Sequence, residues 1–564
     1  MTTGTRTGTA TGMADELLGV AFDAFPVGAT VLGFRDRDDR LTDYSEDGDQ
    51  AIRGRVEDIA ARAGALDPDA LSPADGVTRA VVLQQAGAMV DRIDSHGIEF
   101  TITDLFVAPV AELLSMLPMV GIGERAHADA YLGRLRRIPV ALDAIAERHR
   151  AGVTAGRLPV ARLVSGAIAQ LDRYLANRDG DPLRRPRPQA GTGVDEAAFE
   201  AARDRVLAEV VRPAMTRYRE VLATEILAHG RPDDRAGLGW LPDGDATYAR
   251  LVRMYTTTAR TPEELHRTGL EIAARLAAEY AEVGAQVFGT SDQVEIFTRL
   301  RTDPSLRWRD ADELLAAARE AIGRAEEAAP RWFGRLPAQR CTVQAVPADE
   351  APGAPGAYYM PPAMDGTRPG TYYANTHRAE ERDRHTAEAT AFHEGVPGHH
   401  FQLTLAQDLA DLPMLRRLAQ VTAFDEGWAL YAERLADEMG LYSGPVARLG
   451  MLCEDSMRAA RLVVDTGLHA MGWSRDQAVA YMVDNTAMPR VEIESEADRY
   501  IADPGQALAY MVGRLEIQRI RREAERALGD RFDVRAFHDT VLGSGALPLG
   551  VLDEVVGAWV RERL

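Results

Sequence analysis

Apolar residues recur at every third or fourth position through much of this chain, and that period fits helices that each bury one face against their neighbours. The pattern dominates from about residue 49 to 335 and is clearest over residues 195–228 and 261–287. The run Thr261-Pro262-Glu263-Glu264 reads as a helix start: a hydroxyl to cap the free amides, a proline in the first turn, and carboxylates at the positive end of the dipole. Residues 179–194 (DGDPLRRPRPQAGTGV) interrupt the pattern, because their prolines and glycines deny a regular helix. They read as a surface loop between helical layers, with a domain linker as the alternative.

Between Cys341 and Thr376 the period shortens to β-prone runs, CTVQAVP, AYYM and TYYANT, separated by proline and glycine. A small sheet among helices is expected there, and an edge strand of it could hold an extended peptide by backbone hydrogen bonds. Helices resume from Arg382 to the C-terminus. The expected organisation is a disordered N-terminus over 1–15, a helical part over 16–340 forming one wall of a cleft, and a metal-site part over 341–564 that contains the sheet. The fold class is mostly α, a large multi-helical body.

The chain has 564 residues, 46% of them hydrophobic, enough to bury a large core. Its formal charge of −21 argues against nucleic acid as a partner, since phosphate recognition needs a basic surface. No lysine occurs; every basic side chain other than histidine is arginine, which excludes Schiff-base chemistry, pyridoxal phosphate attachment and a phosphate-loop lysine. Cys341 and Cys453 can form at most one bridge, so neither a disulfide framework nor a cysteine metal knuckle is available. No apolar run spans a membrane and the N-terminus lacks the order of a signal peptide, so the expectation is a cytoplasmic protein without a membrane partner.

The residues that carry chemistry lie in His393-Glu394-Gly-Val-Pro397-Gly398-His399-His400-Phe-Gln402. Helical metallopeptidases place two histidines four residues apart on one helix face, where they bind zinc while the intervening glutamate activates water. Here proline occupies that fourth position, and histidine returns at offsets of six and seven. On a regular helix an offset of six lies about 120° off the face, and one of seven lies about 10 Å along the axis. A bulge at Pro397-Gly398 would bring His399 into the second-ligand place. His400 competes for it, and a helix that simply ends at Pro-Gly is the plainer alternative. The third ligand offered is Glu426, 27 residues beyond His399, enough for a helix, a turn near Pro413 and a return helix. Glu433 faces the same way and is placed to hold a histidine ligand from behind.

HEGVPGHHFQ, then DEGWALYAERL, RLVVDTGLHAMGWSRDQAVAYM and ADRYIADPGQALAYMVGRLEI, resemble the bacterial DUF885 family, whose members look like relatives of the helical glutamate-zinc peptidases. The resemblance is dense from about residue 355 to 555. It implies a helical body with a deep central cleft, a divalent metal and peptidase-type hydrolysis. Peptidases of the resembled kind steady the tetrahedral oxyanion with a tyrosine, a role open to Tyr510 or Tyr500.

Arg461, Asp465 and His469 form one polar stripe on a helix, which either lines the cleft, with Asp465 orienting His469 toward substrate or toward a second metal, or is a salt-bridged strut. Arg499 and Arg514, with Arg461 and Gln506 nearby, are candidates to grip a substrate carboxylate. The acidic run at Asp36–Asp39 lacks the glycine and glutamate of a calcium loop, and Gly543-Ser544-Gly545 lacks the spacing of a serine-hydrolase motif.

The sequence thus leads to a metal-dependent hydrolase of short peptides, with His393, His399 or His400, and Glu426 on the metal and Glu394 as general base. Zinc is expected, with manganese or iron as alternatives. A different reading keeps the metal but acts on an amino-acid-derived small molecule, drawing further ligands from His400, Asp465 or His469. A third is a catalytically silent peptide-binding protein.

Overall fold

In the computed structural model, residues 8–348, 351 and 354–564 are described. The order of elements follows the two periods read from the sequence: helices to residue 331, a short three-stranded sheet, then helices to the C-terminus. The helices used below are α1 (Ala10–Ala24), α2 (Glu46–Gly64), α3 (Pro73–Asp94), α4 (Arg125–Thr154), α5 (Ala161–Ala176), α6 (Glu196–Val206), α7 (Pro262–Phe288), α8 (Ala311–Ala328), α9 (Ala387–Glu394), α10 (His399–Asp408), α11 (Thr422–Glu438), α12 (Pro445–Ala470), α13 (Arg490–Ala502) and α14 (Ala509–Leu528).

Local chemistry sets several boundaries. At the start of α7 the Thr261 hydroxyl accepts from the Glu264 amide at 3.2 Å and the Glu264 carboxylate accepts from the Thr261 amide at 2.9 Å, a reciprocal cap. The Asp195 side chain accepts from the Ala198 amide at the start of α6. The stretch expected to be disordered through residue 15 is helical from Ala10 onward, because Met13, Ala14 and Leu17 are buried in the core; residues 1–7 lie outside the described residues.

Residues 179–194 form an irregular loop containing a single 3-10 turn at Pro182–Arg184, and they do not behave as a linker. Leu183 is wholly buried and Asp181 accepts from Tyr174 at 3.0 Å and from Arg212 at 2.9 Å, which fastens the loop to the helices on either side.

The sheet has strands β1 (Thr342–Ala345), β2 (Ala357–Met360) and β3 (Thr371–Ala374) in the order β1-β3-β2; β1 runs parallel to β3 and β2 antiparallel to it. β2 is therefore an edge, and it packs beside α9.

Residue 340 does not separate two cores. One apolar cluster joins Met13, Leu17, Ile59 and Val81 from the first helices to Phe392, Phe401, Trp428 and Phe537. A second joins Leu265, Ile272 and Leu276 on α7 to Leu449, Leu452 and Leu462 on α12 and Met511 on α14. A third, over residues 102–226, is confined to the N-terminal part and holds α4, α5 and α6 together.

The crossing of α11 and α14 depends on two glycines. A methyl group on Gly513 would lie 1.7 Å from the Ala423 carbonyl oxygen, and one on Gly427 would lie 2.5 Å from the Gly513 Cα. The backbones meet with no side chain between them, which sets Glu426 on one helix close to Tyr510 on the other. Gly513→Ala should lower stability by about 1–3 kcal/mol in urea denaturation, the usual cost of overpacking; an unchanged midpoint would show that the helices can separate without penalty.

Candidate metal centre

α9 carries His393 and Glu394 and stops there, since the backbone of Gly395 (φ −99°, ψ −115°) is not helical. Residues 395–398 form a turn that includes a cis Val396-Pro397 bond, and α10 starts at His399. The expected bulge in a continuous helix is thus a full break between two helices, for a physical reason visible at Gly398: a methyl group there would lie 1.9 Å from the His393 carbonyl oxygen. The turn is pinned from α11, whose Trp428 indole N–H donates to the Pro397 carbonyl at 2.8 Å.

This break brings His399 back beside His393. The rings meet edge to face with centroids 4.9 Å apart. Nε2 of His393 lies 3.5 Å, and Nε2 of His399 3.2 Å, from Oε2 of Glu426 on α11. One ligand atom from each of the three falls within 4.8 Å of the others. Behind them, Glu433 accepts from Nδ1 of His393 at 2.7 Å, fixing the proton on Nδ1 and turning Nε2 toward Glu426. The side chains of His399 and Glu426 retain 12% and 20% of their exposure, so the point where the donors converge faces an opening to solvent.

The electrostatics favour a cation at that point. Burial works to raise the Glu426 carboxyl, but His399 and His393 hold it well below the usual carboxylate range. Burial likewise opposes charge on His393, yet Glu426, Glu433 and Glu394 raise it to about 9. Two imidazoles and a carboxylate, with a second carboxylate on the outer imidazole nitrogen, are a donor set that suits a divalent metal such as zinc.

Tyr510, at the start of α14, lies beside this group, its ring stacked on His393 at 6.4 Å between centroids. Burial and the Glu426 charge raise its phenol, so the hydroxyl keeps its proton. The Gln506 amide donates to the Tyr510 oxygen at 3.4 Å, which leaves the phenolic proton available to another acceptor.

Several candidates lie elsewhere. His400 points away from the metal centre: its Nδ1 meets the Tyr359 hydroxyl and its Nε2 donates to the Gln339 carbonyl, each at 3.0 Å, so it ties α10 to β2 and is not a ligand. His469 is fully buried, accepting from the Leu238 amide and donating to the Tyr500 carbonyl. Asp465 accepts from Tyr248 at 2.5 Å and from the Gly505 amide, and so does not orient His469. The polar stripe on α12 is therefore a strut at these two positions, and no second metal site assembles from His400, Asp465 and His469.

Tyr500 donates its hydroxyl to Glu496 at 2.5 Å and has no exposed surface, which removes it as an oxyanion donor. Arg514 is paired with the buried Asp455, which also holds Arg434, and it lines a different cavity of about 340 Å³ with Arg275 and Glu279. It is not available to grip a substrate at the metal centre. Arg499 donates to both oxygens of Glu496 and to Gln506, and Arg461 donates to Tyr500 and Glu496. Arg461 also covers the Tyr510 ring, at 4.6 Å from its centroid, and Arg458 reaches it at 5.7 Å. Sequence reasoning missed Arg458, although it stands three residues before Arg461 on the same helix face.

A family profile described as a bacterial protein of unknown function, DUF885, matches residues 26–556. The chain belongs to the DUF885 family. No curated protein matches it. Among solved structures, a predicted lipoprotein from Colwellia psychrerythraea is 27% identical with a TM-score of 0.90, over 98% of this chain and 100% of that one. A predicted lipoprotein of unknown function from Shewanella oneidensis shares the fold at 18% identity and a TM-score of 0.74, over 97% and 99% of the two chains. These structures overturn the expectation of a cytoplasmic protein, since both relatives are described as lipoproteins. The periodicity and packing of a core do not record where a chain resides. Among the described residues no helix is long and apolar enough to cross a membrane.

If Glu433 orients His393 for a metal, Glu433→Gln should weaken zinc affinity about 10- to 100-fold in competition with a chelator, as loss of such outer partners does. Unchanged affinity would mean that the Glu433 contact only fills space.

Proposed function

We propose that this protein is a metal-dependent hydrolase of short peptides, in which His393, His399 and Glu426 hold a divalent cation, most simply zinc. The convergence of those donors within 4.8 Å, across a helix break that only glycine at 398 permits, is the observation that carries the reading. When bound, such a cation polarises a carbonyl and lowers the pKa of water. The protein's own residues supply the rest.

Glu394 follows His393 at the end of α9, half-buried, and in this reading serves as the general base. It takes a proton from the water whose oxygen bonds to the substrate carbonyl carbon, and it delivers that proton to the amine nitrogen as the C–N bond breaks. Tyr510, protonated and with its hydroxyl hydrogen uncommitted, would donate to the oxygen that gains negative charge in the tetrahedral state. The outer edge of β2 beside α9, unpaired among the described residues and held there by the Tyr359–His400 contact, offers backbone groups along which an extended peptide can lie.

Glu394→Gln should retain bound metal and lose about 10²- to 10⁴-fold in kcat, the range expected for a general base. Retained turnover would remove Glu394 from the reaction. Tyr510→Phe should lower kcat by about 10²-fold with KM little changed, as for loss of one oxyanion donor; a change confined to KM would assign Tyr510 to binding alone. Both are read by steady-state hydrolysis of a small peptide set, with the metal content of each variant measured alongside.

A further inference from the structure

Two buried guanidinium groups next to Tyr510 carry nitrogens that no acceptor reaches. Arg461 uses Nε on the Tyr500 hydroxyl at 3.0 Å and Nη2 on Glu496 at 2.8 Å, but its buried Nη1 has no hydrogen-bond partner. Arg458, one turn earlier on α12, pairs with Glu454, and its Nη2 is 4.0 Å from Glu433; its buried Nε has no partner. The two residues are only 6% and 7% exposed.

The local charge is also uneven. Arg461 and Arg499 share a single carboxylate, Glu496, whose Oε2 already accepts from Arg461, Arg499 and the Tyr500 hydroxyl. A buried cation is costly unless paired, and a guanidinium nitrogen without an acceptor forfeits a charge-assisted hydrogen bond. This cluster therefore holds guanidinium donors without acceptors where Arg461 and Arg458 both lie over the ring that stacks on His393.

We propose that Arg461 and Arg458 form a subsite for a substrate carboxylate, one aromatic ring away from the metal centre. This deepens the hydrolase reading and rests on it for the word substrate: the favoured peptide is short and carries a free carboxylate close to the bond that is cut. An α-carboxylate at a peptide C-terminus and an acidic side chain share this chemistry. Arg461 and Arg458 act in binding, and Glu394 and Tyr510 keep their roles at the reacting carbonyl.

The test is calorimetric binding to the full-length Glu394→Gln protein loaded with zinc, so that no turnover intervenes. The probes are acetylated trialanine as the free acid, the same peptide as its carboxamide, and an amidated analogue with one aspartate. The free acid should bind at least about tenfold more tightly than the carboxamide, as expected for a buried charge-assisted pair. The aspartyl amide then tells a side-chain carboxylate from a terminal one. Adding Arg461→Gln or, separately, Arg458→Gln should reduce the acid-to-amide ratio to below about threefold and leave carboxamide affinity and zinc content in place. Equal binding of all three peptides, or a preference that both substitutions leave intact, would overturn the subsite. Weakening of acid and amide alike would assign the arginines to structure only. Absence of metal or of hydrolysis in the unsubstituted protein would count against the hydrolase reading and is read out separately.

Discussion

The contact on which this architecture turns is between two backbones: Gly398 sits so close to the His393 carbonyl that any side chain at 398 would occupy the oxygen's space. Because the chain can fold back there, the helix carrying His393 ends and a second begins at His399, with both imidazoles on one side of the turn. Trp428 fixes the turn by accepting nothing and donating one hydrogen bond to Pro397, and Trp428 belongs to the same helix as Glu426 and Glu433. Turn, histidines and carboxylates are thereby set in register by a single helix.

A second close approach, Gly513 against Ala423 and Gly427, brings α14 onto the other side of that helix. Its consequence is chemical, because it delivers Tyr510 to His393 and lets the α12 arginines cover the Tyr510 ring. The candidate metal centre is rich in carboxylate, from Glu394, Glu426 and Glu433, and the neighbouring cluster is rich in guanidinium. A carboxylate-rich group suits a cation and a guanidinium-rich one suits a carboxylate, and here the two lie side by side.

Much of this was legible in the sequence. The helical period, the three short strands, the capped start at Thr261 and the DUF885 resemblance all follow from local patterns that tertiary packing did not override. That Glu433 faces the ligand side followed from simple helix spacing, while the identity of its partner, His393, came from the fold. What the sequence left open was directional. His399 and His400 are adjacent, and only the break at 395–398 decides which one turns to Glu426 and which to Tyr359. Tyr500, Asp465, His469 and Arg514 look functional because polar residues on one helix face look alike whether they meet solvent or each other; here they are buried and held by Glu496, Tyr248, Tyr500 and Asp455. Arg458 escaped notice because a single unpartnered nitrogen is a property of packing and leaves no periodic trace. The lipoprotein description of the structural relatives has no counterpart in the periodicity of the core, which is silent on where a chain resides.

The central claim is that one divalent ion is held between α9, α10 and α11. A zinc-soaked crystal measured at the zinc absorption edge tests it directly. The account predicts one strong anomalous peak, about 2 Å from a ring nitrogen of His393, a ring nitrogen of His399 and a carboxylate oxygen of Glu426. A peak at other side chains with none between these three, at saturating zinc, would contradict it.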